Sequence, residues 1–435
     1  MKTSTQHPYQ LTSHEGDDVL LERVSLSGEL LGYALQLTLT QHYRNTSERA
    51  IEAVYTFPVA AGATLAGLEA VIGGKRLVGQ VMAKTEAENR YEEAIESGDL
   101  PVMVERAGRG LYTANLGGIG PGETVAIDIT YVQLLDQEDG RIRLVVPTTV
   151  AQRYGDPLCE GGLQPHQTTR TDVSAEHALD LDLRVGGLMA AATIASPSHA
   201  IRREREGDTV RITLAERAWL DRDFVLVLSD LPMQPMAVRC PDTAAATTGS
   251  SMVLASFTPR WDEAAQAVRR PVDLKLLVDC SGSMAGDSIE QARRALVAIT
   301  AGLGEGDRVS CSRFGSEVEH LIGTLRPATD LSMKTALSRA IRHLEADMGG
   351  TEMAQAITQV IELPDEQRTS GTTDLLLITD GEIWDVEGVI RICLRSGHRV
   401  HAIGVGHSPA ESLLQAICQG TGGHCEMVTP GEDLA

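Results

Sequence analysis

The spacing of apolar residues changes character along the chain. Up to about residue 150 it is mostly two-residue. VSLSGELLGYALQLTLTQHYRN (24–45) alternates apolar and polar positions, as a half-buried strand does, and IEAVYTFPV (51–59) and TVAIDITYVQLL (124–135) behave alike. One stretch breaks the alternation. KTEAENRYEEAIESG (84–98) puts Ala87, Tyr91, Ala94 and Ile95 on one helical face, with charged residues elsewhere and Gly98 as its stop. GGIGPGE (117–123) reads as a turn.

From 151 to 270 a polar, turn-rich stretch gives way to further strand-like runs, LDLDLRV, TVRITL, FVLVLS and SMVLASF, with no long amphipathic helix. This predicts a β-rich layer packing on the first. PDTAAATTGSS (241–251) reads as an exposed loop. From 271 the period changes again. Continuous apolar runs (LKLLV, RVSCS, LLLIT, VHAIGV) alternate with helical segments, which implies a parallel sheet covered on both faces. A helix is expected after Asp287, with Glu290 completing a capping box and Gly304 or Gly306 ending it. Others are expected near 331–345, 352–362, 385–396 and 409–418. The expected organisation is therefore multidomain: a β-rich part with one helix (1–150), a β-rich connecting part (151–270) and an α/β, Rossmann-like part (271–435).

Composition narrows the function. The chain has 435 residues and 42% hydrophobic content, and 38 basic against 60 acidic residues give a net charge of −22. This balance argues against general nucleic-acid binding and against adhesion to anionic lipid. No apolar run approaches a membrane span, and MKTSTQHPYQLTSHEGDD lacks the apolar core of a secretory signal. Seven dispersed cysteines without a CxxC pair suit reduced thiols and a cytoplasmic setting. Asn45-Thr46-Ser47 has the form of a glycosylation acceptor, but without a secretion signal it carries no weight.

Candidate chemistry lies in the last third. In an open α/β sheet, ligands bind beyond the carboxyl ends of the strands. Asp279 ends LKLLV and is followed by Ser281 and Ser283; Asp380 ends LLLIT and precedes Gly381. Thr351 lies between them, after Gly349 and Gly350, which would let its loop come close. Cys280 should alternate away from Ser281. The set Asp279, Ser281, Ser283, Thr351 and Asp380 is all oxygen, with two carboxylates, and suits Mg²⁺, or Mn²⁺ by substitution. Water or a partner carboxylate would complete the coordination.

These segments in this order resemble the metal-ion-dependent adhesion site of von Willebrand factor A (VWA) domains, over about 271–435. The resemblance implies direct contact of the ion with the two serines and Thr351, direct or water-mediated contact with the two aspartates, and a protein ligand that donates a Glu or Asp. HYRNTSERAIEAVYTFPV, VGQVMAKTEAENRYEEA and LYTANLGGIGPGETVAIDITYVQLL resemble the VIT domain, the vault protein and inter-alpha-trypsin inhibitor module, over about 15–145. The order of parts is that of inter-alpha-trypsin inhibitor heavy chains. Their Asp-Pro-His-Phe linkage sequence is absent, since Leu158 follows Asp156-Pro157. That points to an intracellular, bacterial-type relative.

The reading that follows is a non-enzymatic, Mg²⁺-dependent protein-binding module. By family analogy it could instead serve as an adaptor for a MoxR-type AAA+ ATPase, or as the target or sensor of a neighbouring protease. A metal-dependent hydrolase fits less well, because no histidine lies in the three ligand segments. Gly286-Asp287-Ser288 lacks the glycines of a protease oxyanion loop, no GxSxG surrounds Ser281 or Ser283, a phosphatase would need a carboxylate at position 281, and no phosphate-binding GxxxxGK[ST] occurs. His401, His407, His424 and Cys425 fit no zinc spacing and read as packing or exposed residues. Glu382 could line the rim of the site.

Overall fold

The computed structural model describes residues 11–13, 18–60, 62–80, 84–97, 102–108, 111–138, 140–148, 153–154, 178–220, 222–232, 234–241, 251–257, 270–364, 373–383, 386–430 and 432. The chain divides into two compact units.

The first unit is β-rich. Its central sheet runs in the order Lys75–Val78, Thr64–Ile72, Thr124–Leu134, Ala34–Asn45, Asp18–Leu31, Leu11–Ser13, Ile51–Pro58, Leu111–Ile119, Val102–Gly108. Alternation decides which side of each strand is inward. In Ala34–Asn45, Leu35, Leu37, Leu39 and Tyr43 are buried, while Ala34, Gln36 and Arg44 are exposed. The helix is α1 (Lys84–Glu96), with Ala87, Tyr91 and Ala94 half-buried; the side chain of Ile95 and the stop at Gly98 lie outside the described residues. Gly117–Ile119 are strand, so the expected turn is confined to residues 120–123.

Strands of the connecting region contribute both to the central sheet and to a separate four-stranded sheet of Gln137–Glu138, Arg141–Val146, Phe224–Ser229 and Thr193–Ala195. Ala178–Gly186 runs parallel to Asp18–Leu31 in the same sheet, and Phe224–Ser229 pairs antiparallel with Arg141–Val146. One core holds Leu37, Tyr43, Phe57, Ile127, Leu144, Leu183, Ile212 and Phe224 from both stretches. A chain of alternating strands can extend an existing sheet edge as readily as build a second sheet, and composition alone does not distinguish these outcomes. Of the expected loop at 241–251 only the ends are described, where Pro241 pairs with Ser251. Asn45 is buried, and its amide donates to the carbonyls of Arg49, Ile119 and Gly120. That side chain closes a turn and is closed to modification.

The second unit is a doubly wound α/β sheet with strands β1 (Asp273–Asp279), β2 (Arg308–Phe314), β3 (Val318–Pro327), β4 (Asp374–Thr379), β5 (Arg399–Val405) and β6 (Cys425–Val428). The order is β3-β2-β1-β4-β5-β6, and every pair is parallel except β2 with β3. The antiparallel β3 is an edge strand that the apolar runs did not announce, because its pattern is mostly exposed. All seven residues of β1 are buried. Leu276 and Val278 enter one core with α2 (Asp287–Ala301) and α3 (Leu331–Arg342). Leu277 enters the other, with α4 (Met353–Ile361), α5 (Val386–Ser396) and α6 (Glu411–Thr421). The capping box does not form: Gly286, at φ +86°, is the cap of α2 without a side-chain bond, Glu290 pairs with Arg293, and the helix ends at Gly302. The histidines do not converge on a zinc set. His407 faces Asp287 at 3.6 Å, and His401 Nδ1 accepts from the backbone of His424.

Candidate metal-binding site

The site forms where β1 and β4 end side by side. Their register pairs Val278 with Ile378, so Asp279 comes level with Thr379 and Asp380 follows at the same edge. The Asp279 carboxylate is fully buried and held on both oxygens. The Ser281 N–H donates to Oδ1 at 2.9 Å, and Thr379 Oγ1 donates to Oδ2 at 2.5 Å. The 3₁₀ turn Gly282–Met284 then brings Ser281 Oγ and Ser283 Oγ to 3.1 Å, and Ser283 donates to Asp380 Oδ1 at 2.8 Å. Two carboxylates a hundred residues apart in sequence thus share one hydroxyl cluster.

The threonine loop is stitched to this cluster through its backbone. The Gly282 N–H donates to the Gly349 carbonyl at 2.8 Å, and the Met348 N–H to the Cys280 carbonyl at 2.9 Å. On its other side, Gly350 N–H donates to Ser316 Oγ, and Glu352 N–H to the Gly315 carbonyl. Gly315 has no room for a side chain, since a Cβ would stand 2.4 Å from the Met348 carbonyl oxygen. The loop delivers Thr351, 8% exposed, and its Oγ1 is buried with no hydrogen-bond partner. A buried hydroxyl without a partner is costly unless something else meets it.

Electrostatics point the same way. Burial pushes Asp279 above the usual carboxylate range, against the hydrogen bonds from Thr379 and Ser281. Asp380 is pushed up to about 6, first by burial and then by the charge of Asp279, with Ser283 and Ser288 opposing. The groups that stabilise these carboxylates are hydroxyls and N–H groups; no lysine or arginine is among them. Cys280 turns away from the cluster into the core, where burial raises its thiol to about 12.

All five expected residues therefore lie on the three loops that meet here. Sequence reasoning missed their supports. Thr379 braces Asp279 and accepts from the Gly381 N–H. Its signal was its place beside Asp380, visible only once β1 and β4 are neighbours. Gly406 backs Asp380: a Cβ there would meet Ser288 Oγ at 2.8 Å. Lys275 is buried in β1, and its Nζ donates to the carbonyls of Val360 and Ile361, at the end of α4 remote from Thr351.

Residues 21–131 match the pattern of the vault protein inter-alpha-trypsin (VIT) domain, and residues 273–434 that of the von Willebrand factor type A (VWA) domain. The chain is a VIT–VWA protein. It is 26% identical over 460 residues to von Willebrand factor A domain-containing protein 5A of Rattus norvegicus, covering 98% of this chain and 54% of that protein. It is also 26% identical over 418 residues to the protein mono-ADP-ribosyltransferase PARP4 of Mus musculus, covering 94% of this chain and 21% of that protein. The chain thus spans about half or less of these relatives. Among solved structures, proximal thread matrix protein 1 from the mussel byssus, with a zinc-occupied MIDAS motif, overlaps 37% of this chain and 42% of its own at 20% identity and a TM-score of 0.30. Among the described residues, no helix is long and apolar enough to cross a membrane.

Proposed function

We propose that the VWA unit binds a divalent cation through Asp279, Ser281, Ser283, Thr351 and Asp380, and through it a carboxylate of a protein partner. The observation that carries this reading is the donor set. The buried Asp279 and the half-buried Asp380 are joined through serine hydroxyls, and the Thr351 hydroxyl, on the loop bonded to that turn, is buried with no hydrogen-bond partner in the protein. All donors are oxygen, which favours Mg²⁺ or Mn²⁺ over softer ions. A bound cation would offset the repulsion between the aspartates and offer a Lewis-acidic position to an incoming carboxylate. The protein's own residues set the geometry: Thr379 and the Ser281 N–H fix Asp279, Ser283 fixes Asp380, and the backbone bonds of the threonine loop place Thr351.

We read this as a binding site and not a catalytic one. The ligand segments hold no histidine, and their one thiol, Cys280, is buried away from the cluster. We further propose that residues 271–435 carry recognition, while 1–150 and 151–270 provide a β-rich scaffold or a second interaction surface. The thiols of Cys280, Cys311, Cys393 and Cys418, free of disulfides, suit a cytoplasmic setting.

The test has two parts. Calorimetric titration with Mg²⁺ and Mn²⁺ should show one saturable site in the intact chain and none in Asp279→Ala. A pull-down from the source organism's lysate, with both proteins in Mg²⁺ and in EDTA, should retain a partner only on the intact form in Mg²⁺. Equal titrations of the two proteins would sink the reading.

A further inference from the structure

The loop after Asp380 is not bare. Two residues on, Glu382–Ile383 forms a short strand, and Arg153–Tyr154 lies parallel to it, Arg153 opposite Glu382 and Tyr154 opposite Ile383. This pair stands apart from the six-stranded sheet. The rim of the metal site therefore offers a strand edge, and the chain's own linker segment sits on it.

An edge of this kind recruits an extended segment through main-chain hydrogen bonds, while side chains at alternate positions give selectivity. Facing residues of a parallel pair project to the same side. An occupant's residue two places ahead of the one opposite Glu382 would come level with Asp380, which faces the hydroxyl cluster. In the sequence of this chain Ala151 stands two places before Arg153, and Thr148, Thr149, Val150 and Gln152 around it are also uncharged. Arg153–Tyr154 occupies the edge, and the sequence just before it carries no carboxylate. Among the described residues the ladder comprises these two pairs.

We propose that the partner adds to Glu382–Ile383 as an extended parallel strand, displaces Arg153–Tyr154, and places an acidic side chain about two residues upstream on the metal. This deepens the function proposed above and rests on it. Arg153–Tyr154 then acts as a placeholder that keeps the edge paired and sets the threshold for displacement. The partner is defined by its chemistry: an acidic, β-competent peptide segment and not a helix.

The test uses the full chain and fluorescent peptides with the sequence of residues 148–155, in which a single Glu replaces Thr149, Val150, Ala151 or Gln152 in turn. Anisotropy is read in Mg²⁺ and in EDTA. The expected result is a preference for one position, Ala151→Glu, about tenfold over the unsubstituted peptide and lost in EDTA. N-methylation of the backbone at the peptide's Arg and Tyr should abolish that gain. Tyr154→Pro in the protein, which removes an N–H from the resident strand, should tighten binding of the Ala151→Glu peptide several-fold. If the N-methylated peptide binds as tightly as its parent in Mg²⁺, carboxylate recognition stands and strand addition is wrong. If no Glu-bearing peptide binds in Mg²⁺ although calorimetry shows a loaded ion, strand addition is equally wrong. If calorimetry shows no ion, the metal reading fails first and takes this one with it.

Discussion

At the amino ends of β1 and β4, Asp273 and Asp374 each lie against an arginine; at the carboxyl ends, Asp279 and Asp380 lie against hydroxyls. Arg308 grips Asp273 through two bonds of 2.7 and 2.6 Å, and Arg399 grips Asp374 through two of 2.8 Å. The register that sets Asp273 opposite Arg308 and Asp374 opposite Arg399 makes both clamps. Burial works against the charge on Asp374, but bonds from His401 and Arg399 prevail and hold it below the usual carboxylate range. Asp380 goes the other way, to about 6. One pair of strands thus has an end neutralised by arginines and an end whose carboxylates are met only by hydroxyls and N–H groups. Carboxylates of one kind acquire different roles from what the neighbouring strand places beside them.

The sharpest way to break the comparison is to make the amino end resemble the other. Arg308→Ala removes the guanidinium from a buried carboxylate and should cost about 3–5 kcal/mol. Urea denaturation combined with hydrogen exchange of β1 and β2 peptides would show the loss. Metal titration of the remaining folded protein should stay close to that of the parent, because the sheet separates the two ends.

Neutralising the carboxyl end should do the opposite. In EDTA, Asp380→Asn should stabilise the unit at pH 7 by at most about 3 kcal/mol, the cost of ionising a carboxyl whose pKa stands at about 6. The sign follows from linkage. A carboxyl whose folded pKa is raised favours the folded state while protonated, and that contribution is lost as pH rises through about 6. The metal-free parent should therefore gain melting temperature between pH 7 and about pH 4, and Asp380→Asn should keep only the part of this gain that Asp279, also raised by burial, supplies. Asp374 opposes it at still lower pH, where protonation undoes its clamp. A variant that keeps the full pH response would show that Asp380 is not the group responsible.

Restoring the missing charge is the third experiment. Mg²⁺ at about a hundred times its dissociation constant should stabilise the parent by about 3 kcal/mol. It should leave Asp279→Asn unmoved in a thermal scan. A rise of equal size in both proteins would place the ion elsewhere.

How much of this was legible in the sequence differs between the ends. The carboxyl end was legible because its residues are local. Asp279, Ser281 and Ser283 lie in one turn, and Asp380-Gly381 ends an apolar run, so strand ends plus residue types suffice to gather them. The clamps at the amino end were not legible, since nothing in DLKLLV or RVSCS says that Asp273 faces Arg308 until the strands are neighbours in register. The same holds for the sheet of the first unit. Ala178–Gly186 reads correctly as a strand, but its insertion beside Asp18–Leu31 is a pairing choice made across about 150 residues. The capping box failed for a local reason: Gly286 with its positive φ turns the chain one residue ahead of Asp287, leaving that carboxylate inside the helix instead of at its cap.

The smallest effect tests the least visible support. Thr379 Oγ1 donates to Asp279 and accepts from Gly381, so one hydroxyl ties the loops after β1 and β4 together. Thr379→Val keeps the shape and removes both bonds. Asp279 Oδ2 then loses its donor, and the turn carrying Asp380 loses an anchor. Supports of this kind are worth about tenfold or more in metal affinity. A calorimetric Mn²⁺ titration should show that drop in Thr379→Val and near-recovery in Thr379→Ser, with fold stability altered by only about 1 kcal/mol. If valine serves as well as threonine, the two loops are positioned by backbone bonds alone, and the carboxyl end is more rigid than its hydroxyl network suggests.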